Sequence, residues 1–244
     1  MIVKSEGIVL KTVDYSESSI IATIFTKEKG KVAVIAKGAR KPKNKFAAFL
    51  VVGQLLEVVF YSKESRSVQT LSDVSYIEKL HSFRVDVEKM AIMMMTAEFS
   101  NQVLHENEVN SDLFNFLKRM LVWLDKQDDV APQLFPYLQL RIAEYIGIGV
   151  QYMNSSDSEK GYLNISSGLL SPDKVDEHAE RLTPAQFAFL QKSLHSANAS
   201  VLRIVMDSNE LKKLIQIIDK YFIYHVEGMK PRRSDKIFAQ LLMT

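Results

Sequence analysis

Cysteine is absent from this chain of 244 residues. That excludes disulfides, thiolate metal sites and a cysteine nucleophile, and it fits a reducing cytoplasm. Long apolar runs are missing too. The longest, Met90-Ala91-Ile92-Met93-Met94-Met95, falls far short of the ~20 residues needed to span a bilayer. Met1-Ile2-Val3-Lys4-Ser5-Glu6 lacks the continuous apolar core of a signal peptide, so a soluble, cytoplasmic protein without a membrane partner is expected. No G-x-x-x-x-G-K-[ST] loop occurs, which argues against a nucleotide-driven motor. The histidines, His81, His105, His178, His195 and His225, do not form a metal spacing such as H-E-x-x-H, and no carboxylates cluster in the sequence. The reading is therefore non-enzymatic, with no catalytic residue, no cofactor and no metal site.

What the chain does have is charge placed unevenly. Residues 1–80 carry 13 Lys and Arg against 8 Asp and Glu, and the remainder carries 18 against 21. A positive front and a mildly negative back point to two surfaces with different partners. The positive excess peaks at Lys37-Gly38-Ala39-Arg40-Lys41-Pro42-Lys43-Asn44-Lys45, five cations in nine residues with no acid among them. Gly38 and Pro42 stop this stretch from forming an ordinary helix face. A cationic loop leaving a strand suits a polyanion, because phosphate contacts need little beyond well-placed Lys and Arg. Taken alone, such a run is more often a solvated loop.

The surrounding pattern raises its weight. Five short strands are expected at Gly7 to Val13, Ser19 to Thr26, Lys31 to Lys37, Gln54 to Tyr61 and Val68 to Val74, rich in β-branched residues and separated by turn residues. With a long connection between the third and fourth, they fit a five-stranded Greek-key barrel of the OB type. An SH3-like barrel is the alternative, and periodicity does not separate the two. After Lys79 the period becomes helical. Helices are expected around Val87 to Leu104, at 111–126 capped by Ser111, from Pro132 to Ile146, from Thr183-Pro184, at 209–226 capped by Ser208, and at 235–243. Residues 148–182 read as an insertion, with a loop at Asn154 to Ser158 and a hairpin turning at Ser166-Ser167-Gly168. The fold class is thus α+β and multidomain: an OB-type domain at 1–79 and a helical domain at 80–244 that carries the lobe 148–182.

Several segments, in this order and spacing, resemble the bacterial RecO recombination-mediator family. They are Glu6-Gly7-Ile8-Val9-Leu10, Asp14-Tyr15-Ser16-Glu17-Ser18, Lys37 through Lys43, and Leu55-Leu56-Glu57-Val58. Tyr221-Phe222-Ile223-Tyr224-His225, followed by Lys230 and Arg233-Ser234, resembles that family's C-terminal pattern. The resemblance implies an OB-fold joined to a helical domain, and a nucleoid-associated protein that binds single- and double-stranded DNA and anneals complementary strands. It also implies partnership with RecR and with the acidic, Phe-ending tail of the single-stranded-DNA-binding protein, to help load RecA. Many members carry a four-cysteine zinc site in the insertion. This chain has no cysteine, and 148–182 holds one histidine, His178, so side-chain packing by Tyr152, Tyr162, Leu163, Leu169 and Leu170 is expected to hold the lobe instead.

OB barrels bind single strands with a positive groove and stacked aromatics. The cations expected to bind nucleic acid are Lys31, Lys37, Arg40, Lys41, Lys43 and Lys45, with Lys27 and Lys29 nearby. Phe46, Phe49, Phe60 and Tyr61 are the aromatic candidates, and Phe60 shares a face with Leu56 and Val58, which favours the core. Few exposed aromatics would suit annealing, since a bound strand must keep its bases free to pair. Lys230, Arg232 and Arg233, with Lys236, form a second basic cluster, for which a solvated terminus is an equal alternative. The methionine run reads as helix core, with an adaptable apolar groove as the lesser alternative. Arg119 and Arg141 are candidates for docking the acidic tail. His225, four residues after Tyr221, reads as a packing residue. An OB barrel does not choose between DNA and RNA. The alternative function is an RNA-binding OB protein, and only the family resemblance favours DNA.

Overall fold

The computed structural model describes residues 1–153, 161–195 and 199–234. The chain divides into two compact units, Met1–Asp128 and Asp129–Thr244. In the first unit five strands, β1 (Ile2–Tyr15), β2 (Ser19–Thr26), β3 (Gly30–Ala36), β4 (Leu55–Tyr61) and β5 (Val68–Glu78), close into a barrel of order β1-β2-β3-β5-β4. A short helix, α1 (Phe46–Phe49), interrupts the connection between β3 and β4. All pairings are antiparallel except β3 with β5, where Ala33, Val34 and Ile35 face Val68, Gln69 and Thr70. The parallel ladder after a long crossover is the Greek-key arrangement of an OB barrel, and it sets the SH3-like alternative aside. Closure depends on the length of β1. Its first half pairs with β4 and its second half with β2, and a register shift between Val9 and Lys11 bends the strand between the two.

The period-2 alternation sorts the faces. Val32, Val34 and Ala36 point inward with Ile20, Ala22, Ile24, Leu56, Val58, Phe60, Leu71 and Val74, while Lys31, Ala33 and Ile35 alternate outward. Ala39 and Leu50, from the β3–β4 connection, join this core. One side of the barrel is covered by α2 (Val87–Val103) and α3 (Ser111–Asp125). Phe25 meets Phe114 edge to face at 5.7 Å, and Lys118 donates to both Glu6 carboxylate oxygens at 2.9 and 3.0 Å. Gly53, at φ +83°, lets α2 approach closely, since a Cβ there would lie 2.3 Å from the Met93 sulfur. Met93 and Met95 are buried and Met94 is half-buried, which is the core reading of the methionine run.

Two helix starts differ by one residue from expectation. Asn110, not Ser111, caps α3, accepting from the Leu113 N–H at 3.0 Å, while Ser111 donates to the Lys27 carbonyl. In the second unit Asp207, not Ser208, caps α6 (Ser208–His225), in a capping box with Glu210. α4 (Leu134–Tyr145) begins two residues after Pro132, and α5 (Pro184–His195) starts where Thr183-Pro184 predicts. The helix expected at 235–243 and the loop expected at Asn154 to Ser158 lie outside the described residues.

The insertion is a small four-stranded sheet of β6 (Gln151–Tyr152), β7 (Tyr162–Asn164), β8 (Leu169–Ser171) and β9 (Glu180–Arg181), in the order β6-β8-β7-β9. β7 and β8 form the expected hairpin. Leu163 and Leu170 are fully buried with Ile165 and Leu182, whereas Tyr152, Tyr162 and Leu169 are half-buried at the edge. Polar hubs do the rest. The buried Asn164 side chain donates to the carbonyls of Leu169 and Asp173 and to Ser171 Oγ, and accepts from the N–H groups of Val175 and Asp176. Asp176 in turn accepts from the N–H groups of Ser166 and Ser167 and from Ser167 Oγ.

Candidate nucleic-acid interface

The basic loop leaves the barrel at the end of β3. After β3, Gly38 takes φ +68° in a turn, and Ala39 drops into the core. The Arg40 N–H donates to the Ser18 carbonyl at 2.9 Å, which ties the loop to the β1–β2 turn. A second turn follows, Asn44 N–H to the Lys41 carbonyl, and Asn44 Oδ1 accepts from the Phe46 N–H at 2.8 Å. The loop is thereby shaped by its own backbone into an open cup of about 680 Å³, lined by Lys37, Lys41, Lys43, Asn44, Lys45 and Phe46.

The cations around this cup are not equivalent. Lys37, Arg40, Lys41, Lys43 and Lys45 are all exposed. Arg40 pairs with Asp14 at 3.1 Å, and Lys45 lies 4.0 Å from Asp73. Among the described residues no ion pair engages Lys37, Lys41 or Lys43. Lys31 sits at the far end of β3, half-buried, and its Nζ donates to the Asn101 carbonyl in the last turn of α2 at 2.7 Å. Burial lowers its pKa, and Glu106 opposes the shift. It serves the helix C-terminus, where a cation satisfies carbonyls that lack intrahelical partners.

The strand pairing holds a feature that residue-by-residue reading missed. The strand registers align Val13, Ile21, Ile35, Thr70 and Tyr61 in one row across β1, β2, β3, β5 and β4. Val13 and Tyr61 are exposed and the other three half-buried, while their neighbours Ile20, Ala36, Leu71 and Phe60 point inward. The outcome is a mostly apolar strip that winds around the closed barrel and ends in one aromatic. Strand alternation held the signal, but only the pairing register assembles it. Of the aromatic candidates, Phe60 is core, Phe49 packs on Tyr76 with ring centres 4.6 Å apart, Phe46 edges the cup, and Tyr61 ends the strip. The β4–β5 connection adds exposed Lys63 and Arg66. Gln69 shapes this turn, accepting from the Lys63 N–H and donating to the Lys63 and Arg66 carbonyls.

The second basic cluster is split by burial. The Arg232 side chain is 1% exposed and grips Asp219 with both terminal nitrogens, at 2.5 and 2.7 Å, above the Phe135 ring. Lys230 and Arg233 are exposed, and Lys236 lies outside the described residues. Arg119 is exposed on α3 in the first unit. Arg141, on α4 in the second, pairs with Glu144 at 2.8 Å. Burial pushes the Glu144 carboxyl up, against the pull of Arg141. His225 packs on Tyr221 with ring centres 4.4 Å apart and meets the Ile165 carbonyl at 2.8 Å. Among the described residues, no group of three or more His, Asp or Glu side chains converges to hold a metal, and no helix is long and apolar enough to cross a membrane.

Comparison with known proteins agrees along the whole chain. Residues 1–80 match the family model "Recombination protein O N terminal" and residues 84–235 match "Recombination protein O C terminal". A protein of Chlorobium limicola is 34% identical over 259 residues, covering 99% of each chain. One of Salinibacter ruber is 29% identical over 245 residues, covering 98% of this chain and 94% of its own. Both are named DNA repair protein RecO. With the closed OB barrel, the helices after it and both family models in register, the chain belongs to the RecO family of DNA repair and recombination proteins.

Proposed function

We propose that this protein is a non-enzymatic recombination mediator. It holds single- and double-stranded DNA on the open barrel face and anneals complementary strands. Together with RecR, it helps load RecA onto DNA coated by the single-stranded-DNA-binding protein. The observation that carries this reading is the cup, in which exposed Lys37, Lys41 and Lys43 stand without acid partners among the described residues, on a loop that leaves β3 and is tied to the β1–β2 turn, these being the strands that carry outward-facing Val13, Ile21 and Ile35. Ammonium groups on a shaped loop bind phosphates without reading sequence, and a strip with one exposed aromatic supports bases without locking them. Residues 1–79 then act as the DNA-binding domain and 80–244, with its lobe, as the partner-binding part. Arg119 and Arg141 are the docking candidates for the acidic tail, and exposed Lys230 and Arg233 could extend the DNA path.

The test replaces Lys37, Arg40, Lys41 and Lys43 together by Ala. Affinity should fall for all sequences alike, and the salt dependence should flatten by about 0.7–0.9 in slope for each phosphate that is no longer neutralised. Annealing of complementary oligonucleotides should slow in parallel. A folded variant with unchanged affinity and slope would refute the reading. Tighter binding of matched RNA than of DNA by the unaltered protein would favour the RNA alternative.

A further inference from the structure

Two carboxylates stand by the basic loop and pair with two of its five cations. Asp14, beside the outward-facing Val13 on β1, takes the Arg40 guanidinium at 3.1 Å. Asp73 on β5 stands 4.0 Å from the Lys45 ammonium. Both acids are well exposed, at 72% and 66% of the side chain, so burial does not force either pair to form. The Arg40 N–H is held by the Ser18 carbonyl and Ala39 is buried beside it, so the loop backbone presents the Arg40 side chain next to Asp14. A carboxylate offers a guanidinium the same kind of planar oxygen pair that a phosphate does.

We propose that Asp14 and Asp73 are intramolecular phosphate mimics that limit how tightly the cup holds a polynucleotide backbone. This rests on the nucleic-acid-binding reading above. In the unbound protein Lys37, Lys41 and Lys43 are ready for phosphates, while Arg40 and Lys45 are already answered. A strand engages the three lysines first. It gains the other two cations only by exchanging phosphate for carboxylate, and each exchange returns little because an exposed ion pair is being replaced by another. A strand is therefore held firmly enough to be organised and loosely enough to leave, as a protein that must release paired strands requires.

The experiment is a double-mutant cycle on the full chain, read by fluorescence anisotropy of a labelled single-stranded oligonucleotide across a salt series. Asp14→Asn should tighten binding about two- to fivefold, the range expected from an exposed pair, and steepen the salt slope by about 0.7. Arg40→Ala alone should cost less affinity than Lys41→Ala. In the Arg40→Ala background, Asp14→Asn should bring no gain. Glu17→Gln neutralises an exposed carboxylate on the same turn that pairs with no cation among the described residues, and so measures the general field. The same cycle applies to Asp73→Asn and Lys45→Ala. The proposal is overturned if the Asp14→Asn gain persists in full without Arg40, if Glu17→Gln gives an equal gain, or if Asp14→Asn changes nothing. Failure of the unaltered protein to bind the oligonucleotide at all would instead remove the nucleic-acid-binding reading, and this proposal with it.

Discussion

Two arginines, each written in the sequence as a member of a basic cluster, pair with aspartates and do opposite work in the structure. Arg40–Asp14 lies in the open, with side chains 38% and 72% exposed. Arg232–Asp219 is closed off, at 1% and 19%, with Phe135 beneath the guanidinium and Gln139 donating to the same carboxylate at 2.8 Å. The first pair costs little to break and can exchange its carboxylate for another anion. The second joins the segment after α6 to α4 and α6, and removing either partner strands a charge away from water. A cationic run is thus not open to an anion by its charge alone. It is open where backbone turns hold the cations out and no buried acid claims them.

The largest effect expected from this contrast is at the closed pair. Arg232→Ala should destabilise the second unit by about 3–5 kcal/mol, the usual cost of leaving one half of a buried pair alone. Urea unfolding followed by Trp123 in the first unit and by hydrogen exchange in α6 would locate the loss. It should spare the barrel, and the affinity of the folded variant for DNA should be unchanged. A variant as stable as the parent but weak in DNA binding would reverse the assignment and return Arg232 to the interface.

The contrast also explains what was legible beforehand. Strand positions, the helical region, the lobe hairpin and the core role of Phe60 follow from alternation and turn residues, which are local. The cup was visible because its cations are consecutive. The strip from Val13 to Tyr61 was not, because it is assembled by register across five strands. Nor was the burial of Arg232, because nothing near it in sequence announces Asp219 or Phe135. The Lys31 bond to the Asn101 carbonyl was not legible for the same reason, since that partner is seventy residues away. The helix caps were missed by one residue because Asn110 and Asp207 stand next to serines that could do the same work.

A smaller effect is expected where a carboxylate is held by hydrogen bonds rather than by a cation. Desolvation works against charge on Asp176, but hydrogen bonds from Ser166 and Ser167 and from the His178 backbone outweigh it and hold the pKa below the usual aspartate range. A depressed carboxyl pKa stabilises the fold above the unfolded-state value, and that contribution is lost as pH falls through the folded-state value. The contribution of Asp176 to the lobe should therefore be constant around neutrality and fall away only in acid, below the ordinary aspartate pKa near 3.8. Amide exchange at Ser166 and Ser167 should show this, and Asp176→Ala should remove the acid step while speeding exchange at every pH. Asn164→Ala, at the hub beside it, should cost about 1–3 kcal/mol for the buried groups it leaves unpaired.

The smallest effect on stability belongs to the open pair, and its smallness is the informative part. Asp14→Asn or Arg40→Ala should each change the unfolding free energy by less than about 0.5 kcal/mol, because exposed pairs gain little over hydration and salt screens what they gain. Thermal unfolding at low and high salt checks this, with near-superimposable curves as the expected result. Arg40 keeps its backbone bond to Ser18 in either variant, so the loop should hold its shape when the charge pair is gone. If Asp14→Asn instead lowers the melting temperature by many degrees, the pair is a structural tie between loop and β1, and the distinction from Arg232–Asp219 becomes one of degree. If stability stays level while the salt slope of DNA binding moves, the open pair is a functional contact, and exposure is what separates the two arginines.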